Sequence, residues 1–408
     1  MIAYRAAWAC PIEGPPIRDA IIEVEDGIIR SISSGSRTQA PDFRDLGNVV
    51  ILPGLINAHT HLELSWLRGR VPPAARFTDW VKTLFAIRGR PDAAMSSEQI
   101  APIHEAIAEL RDTGTVAVGD ISNSMAAVAP MRRAGIHGVV FHELLGFKER
   151  DGALLDATSA LRLSAAATGV RVSLAPHAPY STSLELFQAI RSTVNASSCP
   201  IMSVHLGESA EEVEFLATGT GPWRGMLETI GVWRHDWDVP ACDPVSYLDR
   251  HGLIDARTLV VHGVQFEDAA LARLAAIGAT IVACPRSNQW VGVGYPPIER
   301  FYRSGVAVAV GTDSLASVED LNVFSELHTM RRVAPGVAAS KLLESATLVG
   351  AKALGLEDLG SLTPGKRAEM IAVELPPRVD DVEEYLVGGI VPSQLRWVDA
   401  ISRDPLTP

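Results

Sequence analysis

The chain has 408 residues, 47% of them hydrophobic, and a formal net charge of −12. That is enough apolar material for one large α/β domain with a smaller companion. The acidic balance excludes a nucleic-acid partner, because such binding needs clustered Lys and Arg to neutralise phosphates.

In chain order, the first sixteen residues lack the basic start and sustained apolar core of a secretory leader. No uninterrupted apolar run is long enough to span a bilayer, so a cytoplasmic protein without a membrane partner is expected. Cys10, Cys199, Cys242 and Cys284 are scattered without C-x-x-C spacing and read as reduced thiols, not a disulfide framework or a sulfur-rich zinc knuckle. Up to about Pro53 the pattern is short strands and turns, including 21–25, the turn Asp26-Gly27, and 28–32. Eight β-branched or aliphatic runs follow, at 55–61, 115–120, 138–143, 170–175, 201–205, 258–262, 280–283 and 306–310. Helical stretches lie between them, among them 97–110, 154–167, 183–194, 268–277 and 320–330, several starting at a Ser or Asp able to cap the first turn.

Alternating strands and helices imply parallel pairing, and eight units match a closed (β/α)8 barrel of the TIM type. The open doubly wound alternative lacks its Gly-x-Gly-x-x-Gly turn. Residues 209–257 exceed an ordinary βα connection and contain Trp223, Trp233 and Trp237, so a lid or pocket wall is expected there. From Gly360 the chain reads as strand, turn and strand, with Thr363-Pro364-Gly365 as the turn. The expected organisation is a small β-sandwich domain, 1–53 plus 356–408, beside a catalytic barrel, 54–355.

In His59-Thr60-His61 the imidazoles two apart share one strand face. Alone this is a weak signal, since a hydrogen-bonded pair is commoner than a metal site. Other strand ends strengthen it: Val204-His205, Val261-His262 and Gly311-Thr312-Asp313 also place His or Asp after apolar runs. Such nitrogen and oxygen donors suit Zn²⁺ or Fe²⁺ better than Mg²⁺ or Ca²⁺. Glu208, three residues past His205, can take a proton from an activated water and return it to a leaving group. Its structural alternative is a first-turn acid on the next helix.

Residues 53–61, Pro-Gly-Leu-Ile-Asn-Ala-His-Thr-His, resemble the signature of the amidohydrolase superfamily. His205-Leu206-Gly207-Glu208, His262, Cys284-Pro285-Arg286-Ser287-Asn288 and Gly311-Thr312-Asp313-Ser314 are similar to its later motifs. Residues 360–369 resemble its return into a β-sandwich, with Glu369 where Asp is usual, so the resemblance spans nearly the whole chain. Within the superfamily the pattern is similar to the mononuclear deaminase branch and its adenosine, S-adenosylhomocysteine and chlorohydrolase-like members. The fourth strand has no lysine to carry the bridging carbamate of binuclear branches. The resemblance implies one divalent ion, zinc or alternatively iron, on His59, His61, His205 and Asp313. It makes Glu208 the proton shuttle and lets His262 orient the attacking water or polarise the tetrahedral centre.

A closer resemblance, on residues 59–65, 141–146, 176–181 and 218–223, is to the aminodeoxyfutalosine deaminases. It implies hydrolysis of 6-amino-6-deoxyfutalosine to futalosine and ammonia in menaquinone biosynthesis. His177 would then meet the purine, or else cap its turn, and Glu143 would bind a sugar hydroxyl or pair with an arginine. Arg286 and Arg88 are candidates for the substrate carboxylate, each otherwise an ordinary ion pair. Trp80 and Trp66 would stack or simply pack. His104, His137, His235, His251 and His328 have no supporting context. Two other readings stand beside this one. The first is a deaminase or C–N hydrolase of another heterocycle, such as adenosine, methylthioadenosine, S-adenosylhomocysteine or a triazine. The second is a non-catalytic scaffold on the same fold, which would be free to lose a ligand residue, and none is missing. The resemblance also raises a homodimer as an expectation.

Overall fold

The computed structural model describes residues 1–35, 40–89 and 95–398. The chain opens with β1 (Ile2–Ala9), β2 (Ile17–Glu25) and β3 (Ile28–Ser34), joined antiparallel in that order. Asp26 and Gly27 both take left-handed φ, 52° and 73°, as the tight Asp-Gly hairpin turn requires. Two further strands, β4 (Asp42–Asp45) and β5 (Val49–Pro53), run parallel to β1.

Gly54 separates β5 from the first of eight parallel strands. These are β6 (Leu55–Thr60), β7 (Thr115–Ser122), β8 (His137–Leu144), β9 (Arg171–Pro176), β10 (Met202–Leu206), β11 (Thr258–His262), β12 (Thr280–Ala283) and β13 (Ala307–Val310). Each pairs with the next in chain order, and the run closes into the expected (β/α)8 barrel where β13 returns to β6. The closing contact is built as much from side chains as from backbone. The Asp313 N–H donates to the His59 carbonyl at 3.0 Å, and the Thr60 hydroxyl donates to the Asp313 carbonyl at 3.0 Å. Buried Asn57 spans the same seam, donating to Thr312 Oγ1 at 2.7 Å and accepting from the Thr312 N–H at 3.1 Å.

Strand alternation sorts the barrel residues. Ile56, Ala117, Val139, Phe141, Ala175, Leu259, Val261, Val282 and Ala309 form one interior cluster. Their neighbours Val118 and Val140 pack against the helix Ser97–Asp112, and Val204, Val260, Ile281 and Val308 join the large cluster with the remaining helices. Ala58 belongs to the interior set, so strict alternation would turn His59 outward. The pairing of β6 with β7 slips between Asn57 and Thr60, where three steps on β6 match two on β7. That bulge rotates His59 and His61 to the interior.

The expected helix at 154–167 is two, Ala153–Ala157 and Ser159–Ala166, because the Thr158 hydroxyl donates back to the Leu154 and Leu155 carbonyls. The helix expected from 320 starts at Val323, with Asn322 capping it, because Asp320 is drawn to Arg286. At the far end β14 (Met370–Glu374) pairs antiparallel with β5, and β15 (Leu395–Val398) with β14, which extends the amino-terminal sheet. The strand expected just before the turn at Thr363 is not formed. The chain there bonds across to the β2–β3 hairpin, Gly365 N–H to Ile29 and Ala368 N–H to Gly27, and a helix at Val382–Val387 separates β14 from β15. Residues 36–39 and 399–408 of the expected small domain lie outside the described residues.

Gly311 leaves the seam no spare room: a Cβ there would lie 2.7 Å from His59 Cβ and 2.8 Å from the His59 carbonyl oxygen. Gly311→Ala should lower unfolding free energy by about 1–3 kcal/mol, as overpacking does, and weaken metal retention at the same time. Urea denaturation and metal analysis of the variant check this.

Candidate active site

Five strand-end side chains meet at one mouth of the barrel. The donor atoms of His59, His61 and His205 lie within 4.8 Å of one another, and so do those of His59, His262 and Asp313. Asp313 Oδ1 stands 3.7 Å from His59 Nε2 and 3.5 Å from His61 Nε2. His262 and Asp313 take φ of 78° and 60°, a region that costs a non-glycine residue about 1–3 kcal/mol. The packing around both ends holds that strain in place.

This cluster fits a divalent cation. Both ring nitrogens of His59 are buried without a hydrogen-bond partner, a penalty that coordination would remove. His205 donates from Nδ1 to the His177 carbonyl at 3.0 Å, which fixes its tautomer and leaves Nε2 with a lone pair. Asp313 Oδ2 accepts from Ser287 Oγ at 2.6 Å, so Oδ1 stays with the imidazoles. Burial drives His205 down to about 3 and His61 and His262 well below the ordinary range, which gives the neutral form that ligates. Burial also opposes the charge on Asp313, but the facing imidazoles hold its carboxylate well below the usual range.

Glu208 is buried beside this cluster, its Oε1 3.5 Å from His262 Nε2. It does not cap the following helix. Ser209 does so, accepting from the Glu212 N–H at 3.2 Å, while Glu212 Oε2 accepts from the Glu208 N–H at 3.0 Å. Glu208 is thereby placed by the cap and free of it. Burial first, then Asp313 and Glu212, push its carboxyl well above the ordinary value, so it holds a proton readily.

The cluster opens into a cavity of about 270 Å³, near the lower end of the roughly 300–1,000 Å³ of small-molecule sites. His177, Glu143, Arg88 and Trp80, all named from sequence, line it. His177 donates from Nδ1 to Ser181 Oγ at 2.6 Å, since that hydroxyl's own proton goes to the Ala178 carbonyl; Nε2 is left as an acceptor. Glu143 Oε1 has no hydrogen-bond partner and stands 3.7 Å from His205 Nδ1, while Oε2 accepts from Asn123 at 3.3 Å. Arg88 is the sole Arg or Lys among the lining residues, and its charge is already met. It donates to Glu63 Oε1 at 2.6 Å and Asn123 Oδ1 at 2.7 Å. Arg286 is a correction: it is not among the lining residues, because Glu326 and Asp320 hold its guanidinium at 2.7 and 2.8 Å behind the site.

The remaining wall is apolar and comes largely from two segments. Phe77, Trp80 and Leu84 belong to the helix Phe77–Arg88, and Trp223, Met226 and Leu227 to the helix Pro222–Thr229 inside the long 209–257 connection. Tyr180 stacks on Trp223 at 3.8 Å between centroids. Trp233 and Trp237 instead pack on Phe147 and Phe215, holding the connection against the barrel. Sequence reasoning missed Glu63, Asn123, Ser287 and Asn288 as site supports. Their signal was position alone: Glu63 follows His61 by two residues, and Ser287-Asn288 end the Cys-Pro-Arg-Ser-Asn motif.

Fold and cluster together define a barrel hydrolase with a candidate divalent-metal centre. Residues 50–394 match the amidohydrolase family, and the chain belongs to it. A 5-methylthioadenosine/S-adenosylhomocysteine deaminase of Moorella thermoacetica is 28% identical, covering 92% of this chain and 87% of its own. An aminodeoxyfutalosine deaminase of Deinococcus radiodurans is 31% identical, covering 75% and 73%. A zinc-bound adenosine deaminase from Xanthomonas campestris has the same fold, with a TM-score of 0.80, 26% identity, and coverage of 97% and 90%. The chain is a hydrolase acting on C–N bonds and falls with the mononuclear deaminase branch.

Burial raises the Glu212 carboxyl from 4.5 to about 7, against the Gly207 and Glu208 N–H groups that favour its charge. A raised carboxyl contributes stability below its unfolded value and loses it as pH rises through the folded one. Between 4.5 and about 7 the wild type should therefore lose stability relative to Glu212→Gln, by about 3 kcal/mol at the upper end. Parallel denaturant titrations of the two proteins across that range would read the difference; superimposable pH profiles would contradict it.

Proposed function

We propose that the protein is a zinc-dependent deaminase of an aminopurine nucleoside. The observation that carries this reading is the meeting of a three-imidazole, one-carboxylate cluster with a buried, proton-holding Glu208 in one nucleoside-sized cavity. His59, His61, His205 and Asp313 would hold the ion. When bound, it supplies a Lewis acid that makes a water nucleophilic at neutral pH.

The protein's own groups do the rest. Glu208 takes the proton that the attacking water releases and delivers it to the amino group, which leaves as ammonia. Its raised proton affinity suits that exchange, and amine departure needs the protonation where a halide would not. His262 hydrogen-bonds the oxygen added at the purine carbon. The free Glu143 Oε1 accepts from a ribose hydroxyl, and His177 Nε2 accepts from a substrate N–H or O–H.

The aromatic wall of Phe77, Trp80, Tyr180 and Trp223 favours a flat apolar group on the 5′ side of the sugar. Aminodeoxyfutalosine, with its aryl substituent, is the substrate we put first, which would place the enzyme in menaquinone biosynthesis. The Deinococcus radiodurans relative supports that choice. Methylthioadenosine is the second reading. It is favoured by the neutralisation of Arg88 by Glu63, which leaves no spare cation among the lining residues for a carboxylate.

An ammonia-release screen over aminodeoxyfutalosine, methylthioadenosine, S-adenosylhomocysteine and adenosine decides between them; silence on all four would sink the deaminase reading. Glu208→Gln should retain metal but lose about 10²–10⁴-fold in kcat, and full activity in that variant would refute the shuttle. Chelation should abolish turnover, zinc should restore it, and the restored protein should carry about one ion per chain. Two ions per chain would overturn the single-metal assignment.

A further inference from the structure

Asn288 lies in the helix Pro285–Trp290, fully buried, with its side chain against two of the groups that the chemistry uses. Its amide nitrogen is 3.0 Å from His262 Nδ1 and 3.5 Å from Glu208 Oε1. An amide nitrogen only donates, and both partners can accept: the ring through an unprotonated Nδ1, and the carboxyl through a lone pair on Oε1, which it keeps in either protonation state. The nitrogen, not the oxygen, therefore belongs on the side facing both partners. Turning the amide over would move both N–H donors to the place where buried Oδ1 now finds no partner and take them away from Glu208 Oε1 and His262 Nδ1.

We propose that Asn288 is a positioning residue that fixes the tautomer of His262, so that the ring carries its proton on Nε2 and presents a donor to the reacting centre. With Nδ1 accepting from Asn288, a neutral ring has no other place for its proton. A second proton on Nδ1 would face the amide N–H head-on, so the same contact disfavours imidazolium. Nε2 is the nitrogen that stands 3.5 Å from Glu208 Oε1, so the proton lies next to the shuttle. A protonated Nε2 also has no lone pair for a cation. His262 then stays outside the ligand set even though its donor atom lies within 4.8 Å of those of His59 and Asp313.

This goes beyond the ligand and shuttle assignments, and only its kinetic half rests on the deaminase reading. The direct readout is long-range ¹H–¹⁵N correlation NMR on zinc-loaded protein with ¹⁵N-labelled histidine, where His262 is picked out of the 11 histidines by the signals lost in His262→Gln. The wild type should give an unprotonated Nδ1 and a protonated Nε2. Asn288→Asp offers an acceptor to Nδ1–H and should reverse the pattern, and Asn288→Ala should give a mixture. On whichever nucleoside the wild type deaminates, Asn288→Asp should lower kcat about 10–100-fold with KM and zinc content little changed. A wild-type ring protonated on Nδ1 would overturn the proposal, as would a reversed ring that left kcat intact. If no nucleoside is deaminated, the functional reading falls while the NMR still decides the tautomer.

Discussion

Everything at the catalytic mouth depends on how the barrel closes. The last strand meets the first through a short seam, in which the Asp313 N–H bonds the His59 carbonyl and Asn57 clasps Thr312 with both ends of its amide. The residues that close the fold are thus the neighbours of those that would hold the ion, or the same residues. A barrel left open at this edge would separate Asp313 from His59 and His61, so folding and site assembly are one event. Gly311 is there because two backbones must touch.

Electrostatics divides the site into two populations. Imidazoles out of water are driven neutral, and the acids beside them are driven toward protonation by the same burial. Asp313 escapes this because the imidazoles surround it, and Glu208 does not. One barrel mouth therefore carries an ionised carboxylate suited to a cation and a proton-holding one suited to transfer. The distinction comes from placement, since both side chains are buried.

Much of this was legible in the sequence. The eight strands fall within two residues of their expected ends, because each is a short apolar run punctuated by Gly, Pro or a capping residue. His59, His61, His205, His262 and Asp313 were found because ligand-type residues at several strand ends reinforce one another. Less legible was anything that depends on which way a side chain turns. The β6 bulge leaves no compositional trace, yet without it His59 would face the helices. Arg286 illustrates the same limit. Its guanidinium, set in a motif that resembles the family's, suggested a partner for a substrate carboxylate, but a one-residue difference along a short helix points it to Glu326 and Asp320, while Ser287 and Asn288 face the site. Pairing across distant segments, such as Arg88 with Glu63, could not be read from local pattern either.

The helix Pro285–Trp290 has a mechanical meaning. Two consecutive residues near its start grip Asp313 and the His262–Glu208 pair. Its last residue, Trp290, donates from Nε1 to the Val71 carbonyl, and its own carbonyl accepts from the Ala74 N–H. That strand of chain runs directly into the helix carrying Phe77, Trp80, Leu84 and Arg88, the cavity's aromatic flank. The short helix therefore acts as a yoke. Through it, the wall that would meet the far end of a guest and the side chains that hold Asp313, His262 and Glu208 hang on one six-residue helix.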